Sequence, residues 1–419
     1  MTTPVHRPIG DALLERRDVP VLILQGARAV GKTTMVKNQL VPAGFSYATL
    51  ADQATLAFAR EDPQAWLARL PRPAVIDEAQ LLPTLPLLIK ELVDASGTTE
   101  NQFVLTGSAS IGRQGLGGAD PLARRSVRLT MWPLTPWELA GHPGALSDAL
   151  TDMVPVARTY PSEKPDDLLD RLRHGGWPSY VLPAPLPVAR LRERISADIL
   201  SILATGVDPQ ISLNPSVAVE TLDALLRTPS DIFNASRLSQ LLGFDRRTID
   251  RYLGLFHRLF LVHWLPNCAA SPARQSHSRA KVHPLDTSLS VESLERSGVN
   301  IPDQREVLGH LLESYVVNQI VASTGWAQRA ATASFWRDAA NKNTEVDLVL
   351  DTWGGRRVGV EVKAATTVAP HDLKGLLSLR SAKGLDKGYV VYTGTTVQQV
   401  ADQIWTLPLG ALATPAAFS

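Results

Sequence analysis

Apolar positions follow three different rhythms along this chain. In the first third, short unbroken apolar runs recur: "VPVLILQ" (19–25), "FSYATL" (45–50), "AVID" (74–77), "FVLTG" (103–107) and "RRSVRLTMWPL" (124–134). Short runs without alternation suit strands buried on both faces, so this pattern predicts a parallel sheet. In the middle, "NASRLSQLLGFDRRTIDRYLGLFHRLFLVHWLP" (234–266) sets Asn234 before a short helix and Gly243-Phe244 at a turn. Asp245 then precedes a longer helix whose Ile249, Leu253 and Phe256 share a face, and "LFLVHWLP" reads as a strand. Toward the C-terminus, "VLGHLLESYVVNQIV" (307–321) reads as an amphipathic helix with Leu311, Leu312, Tyr315, Val316 and Ile320 near one face and Glu313 interrupting it. The strand "ASFWRD" (333–338), a hairpin of "EVDLVLD" and "VGVEVKA" across a Gly-Gly turn, a helix "HDLKGLLSLRSA" and a final strand "GYVVYT" follow.

With 419 residues, 44% hydrophobic and 20% charged, the chain is long enough for two or three domains with separate cores. A net charge of +1 excludes a chain that is polyanion-binding as a whole, so affinity for nucleic acid has to come from local basic patches. The one cysteine, Cys268, excludes an internal disulfide and fits a reducing compartment. The nine histidines lack the regular spacing of a zinc site. Arg7, Asp11, Glu15, Arg16, Arg17 and Asp18 argue against a signal peptide, and no apolar run approaches the ~20 residues that span a bilayer. The expectation is a soluble cytoplasmic protein with no membrane partner. Pro and Gly cluster within 141–188 and suggest a boundary, while "NCAASPARQSHSRAK" (267–281), polar and basic, reads as a loop.

The first run leads into Gly26-x4-Gly31-Lys32-Thr33, with Ala29 and Val30 inside the loop and Thr34 after it. This is P-loop spacing: backbone N–H groups wrap phosphates at a helix N-terminus, Lys32 reaches the outer phosphates and Thr33 holds magnesium. "AVIDEAQ" ends in Asp77-Glu78, where Asp77 would face the magnesium hydration shell and Glu78 would polarise the attacking water. "QFVLTGSAS" (102–110) brings Thr106 and Ser108 to a third strand end, near the expected γ-phosphate. The cofactors expected here are ATP and Mg2+.

These residues, with "RLTMWPLTPWEL", resemble the bacterial and archaeal AAA-type ATPases that carry a C-terminal domain of unknown function, and the resemblance covers nearly the whole chain. It implies a helical lid at "HGGWPSYV" (174–181), with Gly176 and Pro178 against the adenine; Ser179 stands where the family usually has an acidic residue. It also implies a phosphate-sensing or intersubunit arginine before the fifth strand, for which Arg125 is the better match, and so leaves room for a homo-oligomer.

The middle segment has the grammar of a winged helix-turn-helix, with Arg246, Arg247 and Arg251 at the start of the second helix, where DNA contacts are made. The C-terminal order of helix, three strands, helix and strand resembles the PD-(D/E)XK nuclease core, with Asp347, Glu361 and Lys363 as its motif, Val346 in place of the usual proline and Glu313 as the fourth member. Phosphodiester hydrolysis needs a hard cation on oxygen ligands, which Asp347 and Glu361 would supply for Mg2+ or Mn2+ while Lys363 orients water. Glu345 is expected to point away from that cation. The expected fold is α/β: a P-loop AAA-type sheet (1–140), a helical lid (141–205), a winged helix (206–295) and a restriction-endonuclease-like core (296–419). The expected function is ATP hydrolysis coupled to DNA binding, branched DNA included, with metal-dependent cleavage as its extension. The rival is an ATP-driven switch or protein-interaction module on a non-catalytic platform.

Overall fold

The computed structural model describes residues 4–16, 18–97, 103–108, 111, 120–205, 214–268, 280–338, 341 and 343–419. The chain divides into two compact units, Met1–Trp132 with Arg258–Phe260, and Pro133–His257 with Leu261–Ser419.

The first unit is built on strands β1 (Val21–Gln25), β2 (Ser46–Thr49), β3 (Ala74–Asp77), β4 (Phe103–Gly107) and β5 (Ser126–Thr130). They form one parallel sheet in the order β2-β3-β4-β1-β5. The unbroken apolar runs match burial: β3 and β4 are buried along their whole length and β1 along all but Gln25, and Trp66, Leu67, Leu85 and Ile89 of flanking helices join Ile23, Ile76 and Leu105 in one apolar cluster. Register places Gln25, Gly107 and Thr130 side by side, so the loops after β1 and β4 leave from one edge. Gln102, Ala109 and Ser110 of the third expected strand lie outside the described residues.

In the second unit, helices Pro215–Leu226, Ala235–Leu242 and Arg246–Arg258 precede β6 (Val262–Leu265) and β7 (Lys281–Pro284), which pair antiparallel. Asn234 and Asp245 accept the capping N–H groups of Arg237 and Thr248, at 3.0 Å each, and Gly243 turns the chain at φ 74°. Most of the expected loop at 267–281 lies outside the described residues, but its last residue does not belong to it: Lys281 is the first residue of β7 and is buried.

A six-stranded mixed sheet follows, from β8 (Ala331–Arg337), β9 (Glu345–Thr352), β10 (Arg357–Lys363), β11 (Lys387–Tyr392), β12 (Gln398–Ala401) and β13 (Ile404–Pro408), in the order β12-β13-β11-β10-β9-β8. "GYVVYT" is therefore not the last strand. β13 adds parallel to β11, and β12 folds back on β13. Helix Arg305–Ser323 covers one face and Lys374–Lys383 the other. The first of these is buried nearly all round from Leu311 to Asn318, which takes Glu313 into the interior.

The four-part division expected from sequence does not coincide with the compact units. The break falls at 132/133, and the segments expected as lid, winged helix and C-terminal core share one unit. The reason is packing: Leu146, Ala149, Leu150, Leu168, Leu169 and Leu172, on two short helices of the expected lid, join one apolar cluster with Leu312, Val316, Leu348 and Val360. Leu172→Ala should cost about 2–5 kcal/mol. It should lower the midpoint of the same unfolding transition that Leu348→Ala lowers, as followed by urea denaturation; separate transitions would show an independent lid.

Candidate functional site

The loop after β1 is set by backbone conformation. Gly31 has φ 98°, and Gly26 (φ 155°) packs so closely that a Cβ there would strike the Met131 carbonyl oxygen. Ala29 is also left-handed, at φ 64°. A short helix, Lys32–Met35, runs directly into a π-helical turn, Val36–Leu40. Thr34 on this helix is exposed. Arg7 ties the loop from behind: its guanidinium donates to Val30 O at 3.0 Å and to Trp132 O at 2.7 Å, while its backbone exchanges hydrogen bonds with the Gln39 side chain. From sequence, Arg7 shows only as a charge near the N-terminus; a buried arginine 23 residues from its partner leaves no local signal.

Lys32 is 6% exposed, and its Nζ donates to Gly26 O (2.9 Å) and Ala27 O (2.8 Å). Burial pulls its pKa down to about 8, against the opposing pull of Glu78 and Asp77. A buried ammonium whose hydrogen bonds go to neutral carbonyls is electrostatically prepared for an anion.

Asp77 is the junction of the site. Oδ2 accepts from Thr33 Oγ1 (2.7 Å) and Tyr47 OH (2.9 Å); Oδ1 accepts from Thr106 Oγ1 and from Glu78 N (3.1 Å). The bond to its own neighbour helps hold Glu78 in the left-handed region, at φ 56°. Gln80 donates to Glu78 Oε2 and, at 3.4 Å, to Ser108 Oγ. Sequence reasoning finds neither Tyr47 nor Gln80, because neither stands at a motif position. Thr106 is fully buried and bonded to Asp77, so it positions that carboxylate and does not offer its hydroxyl to a phosphate. Ser108 remains partly accessible. A hydroxyl and a carboxylate oxygen 2.7 Å apart, both hard oxygen donors, fit a magnesium site at Thr33 and Asp77.

Arg125 does not belong to this constellation. It immediately precedes β5, whose first residue pairs with Val21, so it lies at the opposite end of the parallel strands from the loop after Gln25. There it makes a two-point ion pair with Asp94, at 2.5 and 2.9 Å. Gly176 and Pro178 have structural partners inside the second unit. Gly176 N donates to the buried Asp286 carboxylate (2.7 Å), its carbonyl accepts from Leu134 N (2.7 Å), and Pro178 opens a short helix.

The odd charges of the C-terminal hairpin have a structural explanation. The β9–β10 ladder runs only to the pair Leu348–Val360, and beyond it the Asp347 carboxylate accepts from Val362 N at 2.9 Å. Asp347, Glu361 and Glu313 are all buried, yet they do not close on a metal position, and among the described residues no group of three or more acidic, His or Cys side chains is arranged to hold an ion. Lys281 takes the centre instead. Its Nζ lies 2.7 Å from Glu313, 3.0 Å from Asp347 and 3.1 Å from Glu345. Glu345 thus points toward the cluster, contrary to expectation: two residues from Asp347, it shares the same strand face. Arg337 pairs with the outer oxygen of Glu345, and Lys363 donates to Glu361 Oε1 at 3.0 Å. The second Glu361 oxygen is buried without a partner. Burial, then Asp347, pushes the carboxyls of Glu361 and Glu313 upward.

Arg246, Arg247 and Arg251 are exposed in the first two turns of helix Arg246–Arg258, and only Arg246 has a described ion pair, a loose one with Asp250 at 3.7 Å. No described helix is long and apolar enough to cross a membrane.

Together, the parallel sheet, the glycine loop and the Thr33–Asp77 pair make a nucleotide site of the P-loop ATPase type. Residues 18–140 match a family model described as an AAA domain, residues 165–321 a domain of unknown function (DUF8612), and residues 308–412 another (DUF4143). Similar solved structures include a Walker-type ATPase of Pyrococcus abyssi (12% identity, 70% of this chain and 98% of that one, TM-score 0.42). A RuvB variant of Thermotoga maritima is another (16%, 70% and 92%, TM-score 0.28), as is the ORC1 protein of Aeropyrum pernix in complex with DNA (14%, 71% and 94%, TM-score 0.27). No curated protein matches the chain.

Lys32→Ala should weaken ATP binding at least about tenfold, since a charged hydrogen bond contributes about 1.5–3 kcal/mol. Glu78→Gln should leave binding largely intact and reduce turnover by a factor of about 100 to 10,000. Titration with a fluorescent nucleotide and phosphate release separate the two. Because the free Lys32 titrates near 8, below its ordinary 10.5, an anion should bind best where the ammonium is intact. Affinity measured across pH should hold below about 8 and fall roughly tenfold per unit above it, and Lys32→Ala should remove that dependence.

Proposed function

We propose that this chain is an ATP-hydrolysing protein that acts on DNA, coupling nucleotide turnover to nucleic-acid binding through its helix-turn-helix. Lys32 faces the phosphates, and Glu78 orients and polarises the water. Thr33 and Asp77 would hold Mg2+, which when bound supplies neutralisation of the phosphate charge. Asp77, fixed by Tyr47, Thr106 and the Glu78 N–H, keeps both halves of the site in register with the sheet.

The observation that carries the DNA half is the exposure of Arg246, Arg247 and Arg251 together on the first two turns of a capped second helix, followed by a two-stranded hairpin. An arginine with a solvated head keeps its donors for phosphate or guanine, whereas a packing helix would have committed them. A second reading, an ATP-driven switch whose C-terminal core is a platform, is favoured by the position of Lys281 among the carboxylates.

Reversing the three arginines to glutamate should weaken duplex DNA binding and flatten its salt dependence, the log–log slope falling by about 0.9 for each phosphate no longer neutralised. Fluorescence anisotropy at several salt concentrations checks this, with circular dichroism confirming the fold. Unchanged binding, or an ATPase rate indifferent to duplex, single-stranded and branched DNA, would favour the switch.

A further inference from the structure

Four carboxylates, of Glu313, Glu345, Asp347 and Glu361, meet in the C-terminal sheet, all but that of Glu345 in buried residues. Such a cluster needs a positive charge, and the obvious candidate from its chemistry is a divalent cation. The structure contains a different solution. Lys281 is 2% exposed; its ammonium donates to Glu313 at 2.7 Å and Asp347 at 3.0 Å and forms an ion pair with Glu345 at 3.1 Å, so it meets three of the four carboxylates. These are hydrogen-bond lengths; magnesium–oxygen distances run near 2.0–2.1 Å and calcium–oxygen distances near 2.3–2.6 Å. The Phe335 ring, 5.7 Å from Nζ, adds a cation-facing surface. The fourth carboxylate, Glu361, is met on one oxygen by Lys363, and its other oxygen is buried and unpaired. That orphan marks the part of the oxygen set that the Lys281 ammonium, turned toward Glu313, Asp347 and Glu345, does not meet.

We infer that Lys281 stands where a divalent cation would bind the Asp347–Glu361 hairpin, so that the core is locked to wing strand β7 by an ammonium and lysine and metal exclude one another. The C-terminal core then has no hydrolytic metal in this state. Its carboxylates anchor the second wing strand, through partners 32 and 66 residues away in sequence. This inference does not depend on DNA binding.

The test uses the full chain without nucleotide, melted with and without millimolar Mn2+. Wild type and Asp347→Asn should show the same small metal response, because the cluster contributes none. Lys281→Met, which keeps the length of the side chain and removes its charge, should gain a metal-dependent rise in Tm on the order of 5 °C. Lys281→Met combined with Asp347→Asn should lose that gain. Should Lys281→Met fail to fold alone, refolding it with Mn2+ gives the same reading: recovery supports the exclusion, and no recovery overturns it. A wild-type metal shift that Asp347→Asn abolishes, or a folded Lys281→Met without metal response, also overturns it.

Discussion

Burying an ammonium ion is tolerable only when oxygen faces its N–H groups, and Lys32 and Lys281 meet that condition with opposite results. Lys32 is held by two loop carbonyls, so its charge is solvated but not neutralised, and its pKa falls toward 8. Lys281 sits among three carboxylates; burial opposes its charge, but those carboxylates prevail and its pKa rises. One lysine is left in electrostatic deficit and suits a phosphate ligand; the other is saturated and suits permanence. The difference comes from the geometry around two identical side chains. A loop supplies carbonyl dipoles, whereas an interior strand and a helix supply full charges.

How much is legible in the sequence follows from range. The P-loop is a consecutive run of turn and helix positions, so spacing alone carries it, and Asp77 follows because strands of a parallel sheet end on one edge. The same rule shows why Arg125 is not at the nucleotide end: a residue that precedes a parallel strand lies at the other edge. The expectation for Glu345 fails although its parity with Asp347 is plain in the sequence. Lys281 has no such signal. It ends a polar basic stretch and looks solvated, and only the antiparallel pairing of β7 with β6 turns it inward beside residues from two other elements. That the expected lid segment shares an apolar cluster with the C-terminal core is hidden for a related reason, since amphipathic helices announce an apolar face but not the partner that covers it.

The C-terminal hairpin shows how a local irregularity and a charge can serve one purpose. Beyond Leu348–Val360 the strands no longer exchange backbone hydrogen bonds, and Asp347 accepts the Val362 N–H that the ladder leaves open. An acidic side chain in a buried strand is thereby part of the sheet's own hydrogen bonding before it is anything else. Substituting it removes a ladder substitute and a counter-charge together, so Asp347 has a structural reason to be acidic that is independent of any chemistry.

A cation carried on the chain obeys different mass action from one drawn from solution. Lys281 is tethered, so its effective concentration at the carboxylates is set by the backbone, on a scale of roughly millimolar or more, and is the same in a metal-starved cell, a metal-rich one or a chelating buffer. It cannot be washed out or exchanged for a neighbour in the Irving–Williams order. Such a centre gives up adjustability and gains independence from supply: the joint between β7 and the C-terminal sheet is complete once the chain has folded.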